Sequence, residues 1–421
     1  VIAQRGPSPR IVVGRDNRPS GSELAAAYRD GIAASGGIAV DVGMLPTPAL
    51  YLAVTALGAD GGTQVTGSHN PPEFNGFKMV IGADSVHGEA ILDLWEVITT
   101  ERFHDEVGGG HAADSSVLPR YKEAILSRHI LTRPVKVVVD CGNGVGSLIA
   151  VETLTALGAE VIPLFCESDG TFPNHHPDPT VPANLKDLQA EVRRHGAELG
   201  IAFDGDADRI GAVDEHSTII FGDQLLVIFG RDAVRRFGPG TPVIFDVKCS
   251  EVLPEALRAA GAEPVMWKTG HSLIKAKMKE LHAPLAGEMS GHIFFGGDYL
   301  GFDDALFAAA RLLEIVGHGL HGLAALLADL PRTVATPEIR VEVPEERKFA
   351  ITADAVAHFS AKYPVSTIDG VRMTFPDGWA LIRASNTQPV LVLRFESHTQ
   401  QGLDAHRAEV TSWLAAQGVE A

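Results

Sequence analysis

The sequence predicts an α/β fold in four parts. Three related α/β domains, built on repeated βαβ-containing units with mixed sheets, precede a smaller C-terminal α+β domain. Three observations predict it. A β-branched run occurs three times, as Arg-Ile-Val-Val-Gly-Arg-Asp (10–16), Lys-Val-Val-Val-Asp-Cys-Gly (136–142) and Pro-Val-Ile-Phe-Asp-Val-Lys (242–248). Each run leads into a helical pattern that stops at glycine, then a second strand, a second helix and a third strand ending in an unusual loop. Beyond Leu330-Pro331 the plan changes to hairpin and helix signals.

The helix stops are Gly36-Gly37, Gly158 and Gly261. Glycine just past a helix accepts the left-handed conformation at little cost. The second strands are Ile38–Val40, Glu160–Leu164 and Pro264–Trp267, and the next helical stretches are Ala49–Leu57, Asn184–His195 and Ser272–Leu281. Strand, helix and strand at this spacing make a βαβ unit. The third strands run into TGSHNP (66–71), DGDADR (204–209) and GEMSGH (287–292). The three most distinctive motifs thus occupy one position in three copies, at strand ends, where open α/β sheets place their chemistry. In the last part, Gly370–Phe375 and Trp379–Arg383 flank Pro376-Asp377-Gly378, a hairpin signal with Asp-Gly in the turn. A strand over Val390–Phe395 and a helix over Leu403–Ala416 complete it. The acidic, glycine-rich stretch Glu101–Ser116 reads as a linker, and the next boundary falls near His216. The expected domains are 1–115, 116–216, 217–330 and 331–421.

Fifty-three acidic against 35 basic side chains leave a formal charge of −18. That balance argues against a broad nucleic-acid surface, and any site for an anionic substrate must be locally cationic. Cys141, Cys166 and Cys249 are too few and too scattered for a disulfide framework or a zinc site, which points to a reducing, cytoplasmic setting. No run of about 18 uncharged apolar residues predicts a membrane span. The chain starts at Val1 without methionine, so a preceding segment, signal included, stays open. A monomer or weak homo-oligomer is expected.

Four loops carry the chemistry. In DGDADR, Asp204, Asp206 and Asp208 alternate with small residues and can converge as hard oxygen ligands for Mg²⁺, with a solvated acidic turn as the bland alternative. An EF-hand fits badly, because Arg209 stands where that loop needs glycine. Arg209 beside the carboxylates can grip a phosphoryl oxygen. Ser68 lacks a hydrolase Gly-x-Ser-x-Gly frame. Near a metal and cations it suits phosphoryl rather than acyl transfer. His69 and Lys78 are candidates for general base and phosphate support, and Asn70-Pro71-Pro72 would stiffen the loop. A capping serine in a structural turn is the competing reading. GEMSGH supplies Glu288, Ser290 and His292, a set that can take vicinal sugar hydroxyls or form a satisfied polar loop. Lys248 and His271, each just after a strand, could line the same face. Arg383-Ala384-Ser385-Asn386-Thr387-Gln388-Pro389 is a dianion cradle without a P-loop, or a plain turn.

TGSHNPPEFNGFK (66–78), DGDADR, GEMSGH and RASNTQP, in this order and spacing, resemble the α-D-phosphohexomutases, closest to the bacterial phosphomannomutase/phosphoglucomutase type. The resemblance spans essentially the whole chain. It implies four domains around a central active-site cleft, Ser68 as a phosphoserine, and Mg²⁺ held by Asp204, Asp206, Asp208 and the serine phosphate. It further implies that Arg209 and Lys78 assist transfer and that Glu288 and Ser290 hold sugar hydroxyls, with Lys248, His271 and His292 nearby. Arg383, Ser385, Asn386 and Thr387 would grip the non-reacting phosphate. Met289 and the Ser-Asn-Thr form of the last loop look like the mannose/glucose mutases rather than the phosphoglucosamine mutases. The family's opening Tyr-Asp-Ile-Arg-Gly-like turn, whose arginine reaches the active site, is expected to lie before Val1.

The resulting expectation is a reversible mutase. Phosphorylated Ser68 donates to O1 or O6 of a hexose phosphate, giving a bound 1,6-bisphosphosugar that turns around and re-phosphorylates the serine. Glucose 1,6-bisphosphate or mannose 1,6-bisphosphate is the expected activator. Two rivals remain: an aspartyl-phosphate enzyme with Asp204 as nucleophile and Asp303-Asp304 as a later metal pair, and a binding protein without catalysis.

Overall fold

The computed structural model describes residues 8–103, 108–319, 322–386 and 388–420. Three sheets repeat one strand order. In the first, Arg10–Arg15 lies between Ile38–Met44 and Gly61–Val65, parallel to both, and Phe77–Ile81 runs antiparallel to Gly61–Val65. In the second, Lys136–Asp140 lies between Glu160–Leu164 and Leu199–Phe203, with Ile210–Asp214 antiparallel to the latter. In the third, Pro242–Asp246 lies between Glu263–Trp267 and Leu285–Gly287, with Ile293–Phe295 antiparallel. Each sheet is mixed, and in each the motif loop joins the third, parallel strand to its antiparallel neighbour.

The local causes are those the sequence announces. Val137, Val138 and Val139 are fully buried, as a parallel strand covered on both faces requires. Gly36, Gly158 and Gly261 all take positive φ (81°, 105° and 92°) just past the first helix of their copies.

Several elements depart from the sequence reading. Gly110–Ala113, inside the stretch read as a linker, is an edge strand parallel to Ile38–Met44; its glycine and alanines give no β signal. Helices Gly222–Phe237 and Ala305–His318, most of whose residues are buried, also fall outside that reading; they lie outside the repeated strand–helix–strand–helix–strand run.

The fourth sheet is antiparallel, in the order Val334–Ala335, Val390–Ser397, Gly378–Ala384, Val371–Phe375, Val365–Ser366, with Ile339–Glu342 also on Val390–Ser397. Helices Glu345–Ser360 and Gln400–Ala416 pack against it. Phe375 pairs with Gly378, so the hairpin turn is Pro376-Asp377 and Gly378 already belongs to the strand. A Cβ at Gly378 would lie 2.1 Å from the Glu396 carbonyl oxygen, which is why glycine sits there.

One apolar core runs from Val12 through Leu199 and Phe245 to Leu323, fusing the first three units. The fourth has its own, around Phe359, Phe395 and Leu414.

Candidate active site

The Ser68 loop is shaped by a residue that sequence reading passed over. Arg18 is buried and ion-paired to Asp16 at 3.0 Å. Its guanidinium donates to the carbonyls of Ser68 (2.8 Å), Asn70 (2.6 Å), Phe74 (3.1 Å) and Pro71. Asp16 in turn accepts from Gly67 N (3.1 Å) and Thr66 Oγ1 (2.8 Å). The loop is thus wound around one planar cation, which meets carbonyl groups that water would otherwise have to satisfy. This clamp holds Ser68 at φ 51°, a left-handed conformation that costs a non-glycine residue about 1–3 kcal/mol. The prolines of Asn70-Pro71-Pro72 contribute stiffness, but the clamp is the arginine. Its only signal in the sequence was a charged residue just past a buried strand.

Ser68 Oγ donates to Asp204 Oδ2 at 3.0 Å and lies 3.2 Å from His69 Nδ1. A Cβ at Gly205 would fall 2.4 Å from the Ser68 carbonyl oxygen. Only glycine therefore lets the first and second loops touch.

Asp204, Asp206 and Asp208 are fully buried and converge, with one ligand atom of each within 4.8 Å of the others. Lys78 reaches Asp206 Oδ2 at 2.7 Å and Asp208 Oδ2 at 2.5 Å. Asp206 also accepts from Thr47 Oγ1 at 2.5 Å. Among the described residues, Oδ1 of Asp206 and of Asp208 has no hydrogen-bond partner. Three carboxylates against the ammonium of Lys78 and the guanidinium of Arg209 leave one negative charge uncompensated, and a buried unpaired charge costs several kcal/mol. Burial, then the charges of Asp208 and Asp206, push the Asp204 carboxyl well above the usual carboxylate range. Burial works against the Lys78 ammonium, yet Asp206 and Asp208 hold its pKa well above normal. An all-oxygen donor set with unpartnered buried atoms and surplus negative charge fits a hard divalent cation such as Mg²⁺.

Arg209 Nε donates to His292 Nε2 at 2.9 Å, and Ile210 N to Gly291 O at 3.0 Å, so the second loop meets the third. The charge of Arg209, then burial, depress the pKa of His69 far below its usual value and keep the ring neutral. In the third loop, Glu288 accepts from Gly270 N (2.7 Å) and from Ser290 Oγ (2.9 Å). Asp246 anchors the same loop by accepting from Met289 N (3.1 Å), and also accepts from Thr269 Oγ1 (2.9 Å), next to Gly270. His271 stacks on His292 with ring centroids 5.8 Å apart. Lys248 does not join that pair; it turns to Glu338 of the fourth unit, 3.1 Å away.

Arg383 pairs with Asp369 at 3.0 Å, and the same carboxylate oxygen accepts from Thr269 N at 3.1 Å, linking the third unit to the fourth. Ser385 N donates to Val390 O at 3.0 Å, Ser385 Oγ accepts from Gln388 N at 3.2 Å, and Asn386 is exposed. Thr387 lies outside the described residues. The four loops therefore make a contiguous line in chain order, each bonded to the next or to its supporting strand ends.

Asp304 does not serve as half of a metal pair with Asp303. Its oxygens accept from Tyr121 OH (2.7 Å), Tyr299 OH (2.8 Å) and Phe307 N (2.9 Å), capping helix Ala305–His318.

Models of the phosphoglucomutase/phosphomannomutase alpha/beta/alpha domains I, II and III match residues 1–104, 119–218 and 221–334, and that of the C-terminal domain matches 338–412. A phosphomannomutase/phosphoglucomutase of Pseudomonas aeruginosa is 49% identical over 94% of this chain and 85% of its own length. A phosphoglucomutase of Neisseria meningitidis serogroup A is 45% identical over 94% of this chain and 86% of its own. The crystal structure of a phosphoglucomutase/phosphomannomutase family protein from Burkholderia thailandensis aligns with a TM-score of 0.90 at 44% identity, covering 99% of this chain and 90% of that one. With the repeated sheets and the converging loops, these likenesses show that the chain belongs to the phosphoglucomutase/phosphomannomutase family of α-D-phosphohexomutases.

Proposed function

We propose that this chain catalyses reversible phosphoryl transfer between O1 and O6 of a hexose phosphate, mannose or glucose 1-phosphate to 6-phosphate, through phosphorylated Ser68 and a bound 1,6-bisphosphosugar. The observation that carries the reading is Ser68 Oγ, 3.0 Å from Asp204 in a buried three-carboxylate cluster beside Lys78 and Arg209. When bound by Asp204, Asp206, Asp208 and the serine phosphate, Mg²⁺ would supply charge neutralisation at the transferring group. Arg209 and Lys78 offset the remaining repulsion between a phosphoserine of about −1.5 to −2 charge and a dianionic substrate. As the Ser68 ester bond breaks, a sugar hydroxyl bonds to phosphorus and gives up its proton, and Ser68 Oγ takes one up. His69 Nδ1, 3.2 Å from Oγ, is the nearest general-base candidate, a role that requires the phosphoserine's negative charge to offset the Arg209 charge that depresses its pKa. Glu288 and Ser290 take the sugar hydroxyls, with Lys248, His271 and His292 beside them. Arg383, Ser385, Asn386 and Thr387 take the phosphate that is not reacting. A bisphosphosugar activator keeps Ser68 charged.

We take the domains to run 1–115, 116–216, 217–330 and 331–421; sheet membership supports this division except that strand Ile219–Ile220, paired with Ile210–Asp214, carries the second sheet just past 216. Among the described residues, no helix is long and apolar enough to cross a membrane. A cytoplasmic monomer or weak homo-oligomer is the proposed working form.

Ser68→Ala should lower glucose 1-phosphate turnover by at least about 10³-fold while hexose phosphate still binds. A variant that turns over normally removes Ser68 from the mechanism. A labelled phosphoenzyme that survives acid and resists hydroxylamine supports the serine ester; cleavage by hydroxylamine points to an acyl phosphate on Asp204. Competing mannose, glucose and glucosamine 1-phosphates in one assay ranks the sugars.

A further inference from the structure

Inside the fourth unit a lysine is buried beneath the 383–389 loop. Lys348 belongs to the first turn of helix Glu345–Ser360, and its side chain is 1% exposed. Its Nζ donates to the Gln388 carbonyl oxygen at 3.1 Å and pairs with Glu345 at 2.7 Å. Most lysines leave the ammonium in water and bury only the stem. One held out of water is costly unless acceptors meet it. Glu345 is 62% exposed, so water screens its pairing and the Gln388 carbonyl is the buried partner.

The loop depends on the lysine in return. It joins the antiparallel strands Gly378–Ala384 and Val390–Ser397. Ser385 N donates to Val390 O at 3.0 Å, and Gln388 N donates to Ser385 Oγ at 3.2 Å. Gln388 O accepts from Val390 N at 2.8 Å as well as from Lys348 Nζ, which fills both of its lone pairs. Val343 N, just before the helix, donates to Pro389 O at 3.0 Å. Two contacts therefore tie the second half of the loop to the helix start. Lys348 supplies the charged one, and charge-assisted bonds are the stronger kind.

We propose that Lys348 is a positioning residue for the phosphate end of the substrate: by holding the Gln388 carbonyl it fixes the 383–389 loop in a conformation ready to receive a phosphate dianion. The proposal rests on the reading of Arg383, Ser385, Asn386 and Thr387 as the grip on the non-reacting phosphate. A loop held in its bound shape before the ligand arrives binds more tightly, because less ordering remains to be done. A lysine that only filled space in the fourth unit would be replaceable by methionine, which is of similar length and carries no charge.

The test uses the whole chain, first as wild type, so that it needs no variant to fold. In hydrogen exchange read by mass spectrometry, saturating glucose 6-phosphate should slow exchange over 385–391 and over 345–352 together. Protection of the loop without the helix start overturns the proposal and spares the cradle reading. Protection of neither sinks the cradle reading and the proposal with it. Lys348→Met then separates positioning from packing. Its KM for glucose 1-phosphate should rise roughly tenfold with kcat within about threefold, because the reacting end at Ser68 is untouched. Phe359→Leu, in the fourth unit's own core, is the control for general loosening. At a comparable loss of melting temperature its KM should stay within about twofold of wild type. An unchanged KM in Lys348→Met, or an equal rise in Phe359→Leu, overturns the proposal. The exchange measurement does not depend on Ser68, so normal turnover by Ser68→Ala would sink the phosphoserine mechanism and leave the phosphate-binding result legible.

Discussion

Asp304 illustrates how a single buried carboxyl writes itself into the pH dependence of stability. Burial pushes its pKa up to about 6 against the opposing hydrogen bonds from Phe307 N, Tyr121 and Tyr299. A carboxyl that holds its proton more tightly when folded stabilises the fold fully below about pH 4 and loses that contribution as pH rises through about 6. The unfolding free energy of the wild type, measured against Asp304→Asn by urea titration, should therefore rise by roughly 2–3 kcal/mol as pH falls from 7 to 4. A constant difference across that range would show that Asp304 is ionised throughout. Arg18 makes a related point. A sequence offers no sign that a charged side chain will be fully buried, because the four carbonyls that make its burial tolerable come from residues fifty positions away.

Each motif loop joins the third, parallel strand of its sheet to the antiparallel strand beyond it, so the same structural position carries Ser68, the carboxylate cluster of Asp204, Asp206 and Asp208, or Glu288. That placement was legible from the repeat alone, since strand, helix and glycine stop recur at matching intervals. The close approach of loops from different copies was not. Gly205 is the clearest case: a methyl group there collides with the Ser68 carbonyl oxygen at 2.4 Å, and backbone cannot yield as a flexible side chain can. Gly205→Ala should lower mutase kcat/KM by at least about tenfold and lower thermal stability measurably, both readable in one preparation. Unchanged kinetics would mean that the two loops need not touch during transfer. Helices Gly222–Phe237 and Ala305–His318 escaped the sequence reading for a different reason: they stand before and after the third copy of the repeated run, outside the pattern that announces the other helices.

At the scale of the molecule, the first three units share one apolar core while the fourth keeps its own and meets the third through polar contacts around a small apolar patch. Arg372 donates to Val247 O (2.5 Å), Cys249 O (2.8 Å) and Glu251 (2.9 Å), and lies 3.7 Å from the Trp379 ring centre. Arg394 reaches the Lys248 carbonyl, and Ser250 Oγ donates to Glu396 at 2.9 Å. Such an interface can hold the Arg383 loop, the proposed phosphate cradle, beside the site while permitting the fourth unit to move, since little shared core opposes it. Arg372→Ala removes a buried cation from three acceptors and should weaken the contact by about 2 kcal/mol or more. The expected readouts are a KM for hexose phosphate raised roughly tenfold and faster hydrolysis of labelled phosphoenzyme as water enters. A KM equal to wild type would show that the cradle does not depend on this contact.

The sequence by itself determined the repeated βαβ plan, the positions of the four loops and the chemical type of each. These are properties of short range: side-chain periodicity, glycine stops and residue types close together in the chain. Only the tertiary structure decided which atoms meet. It wound the Ser68 loop on Arg18, set Lys78 between Asp206 and Asp208, turned Lys248 to Glu338 and committed Asp304 to a helix cap. Those choices are made by burial and by pairing between residues far apart in sequence, where the cost of an unpaired buried charge outweighs any local preference.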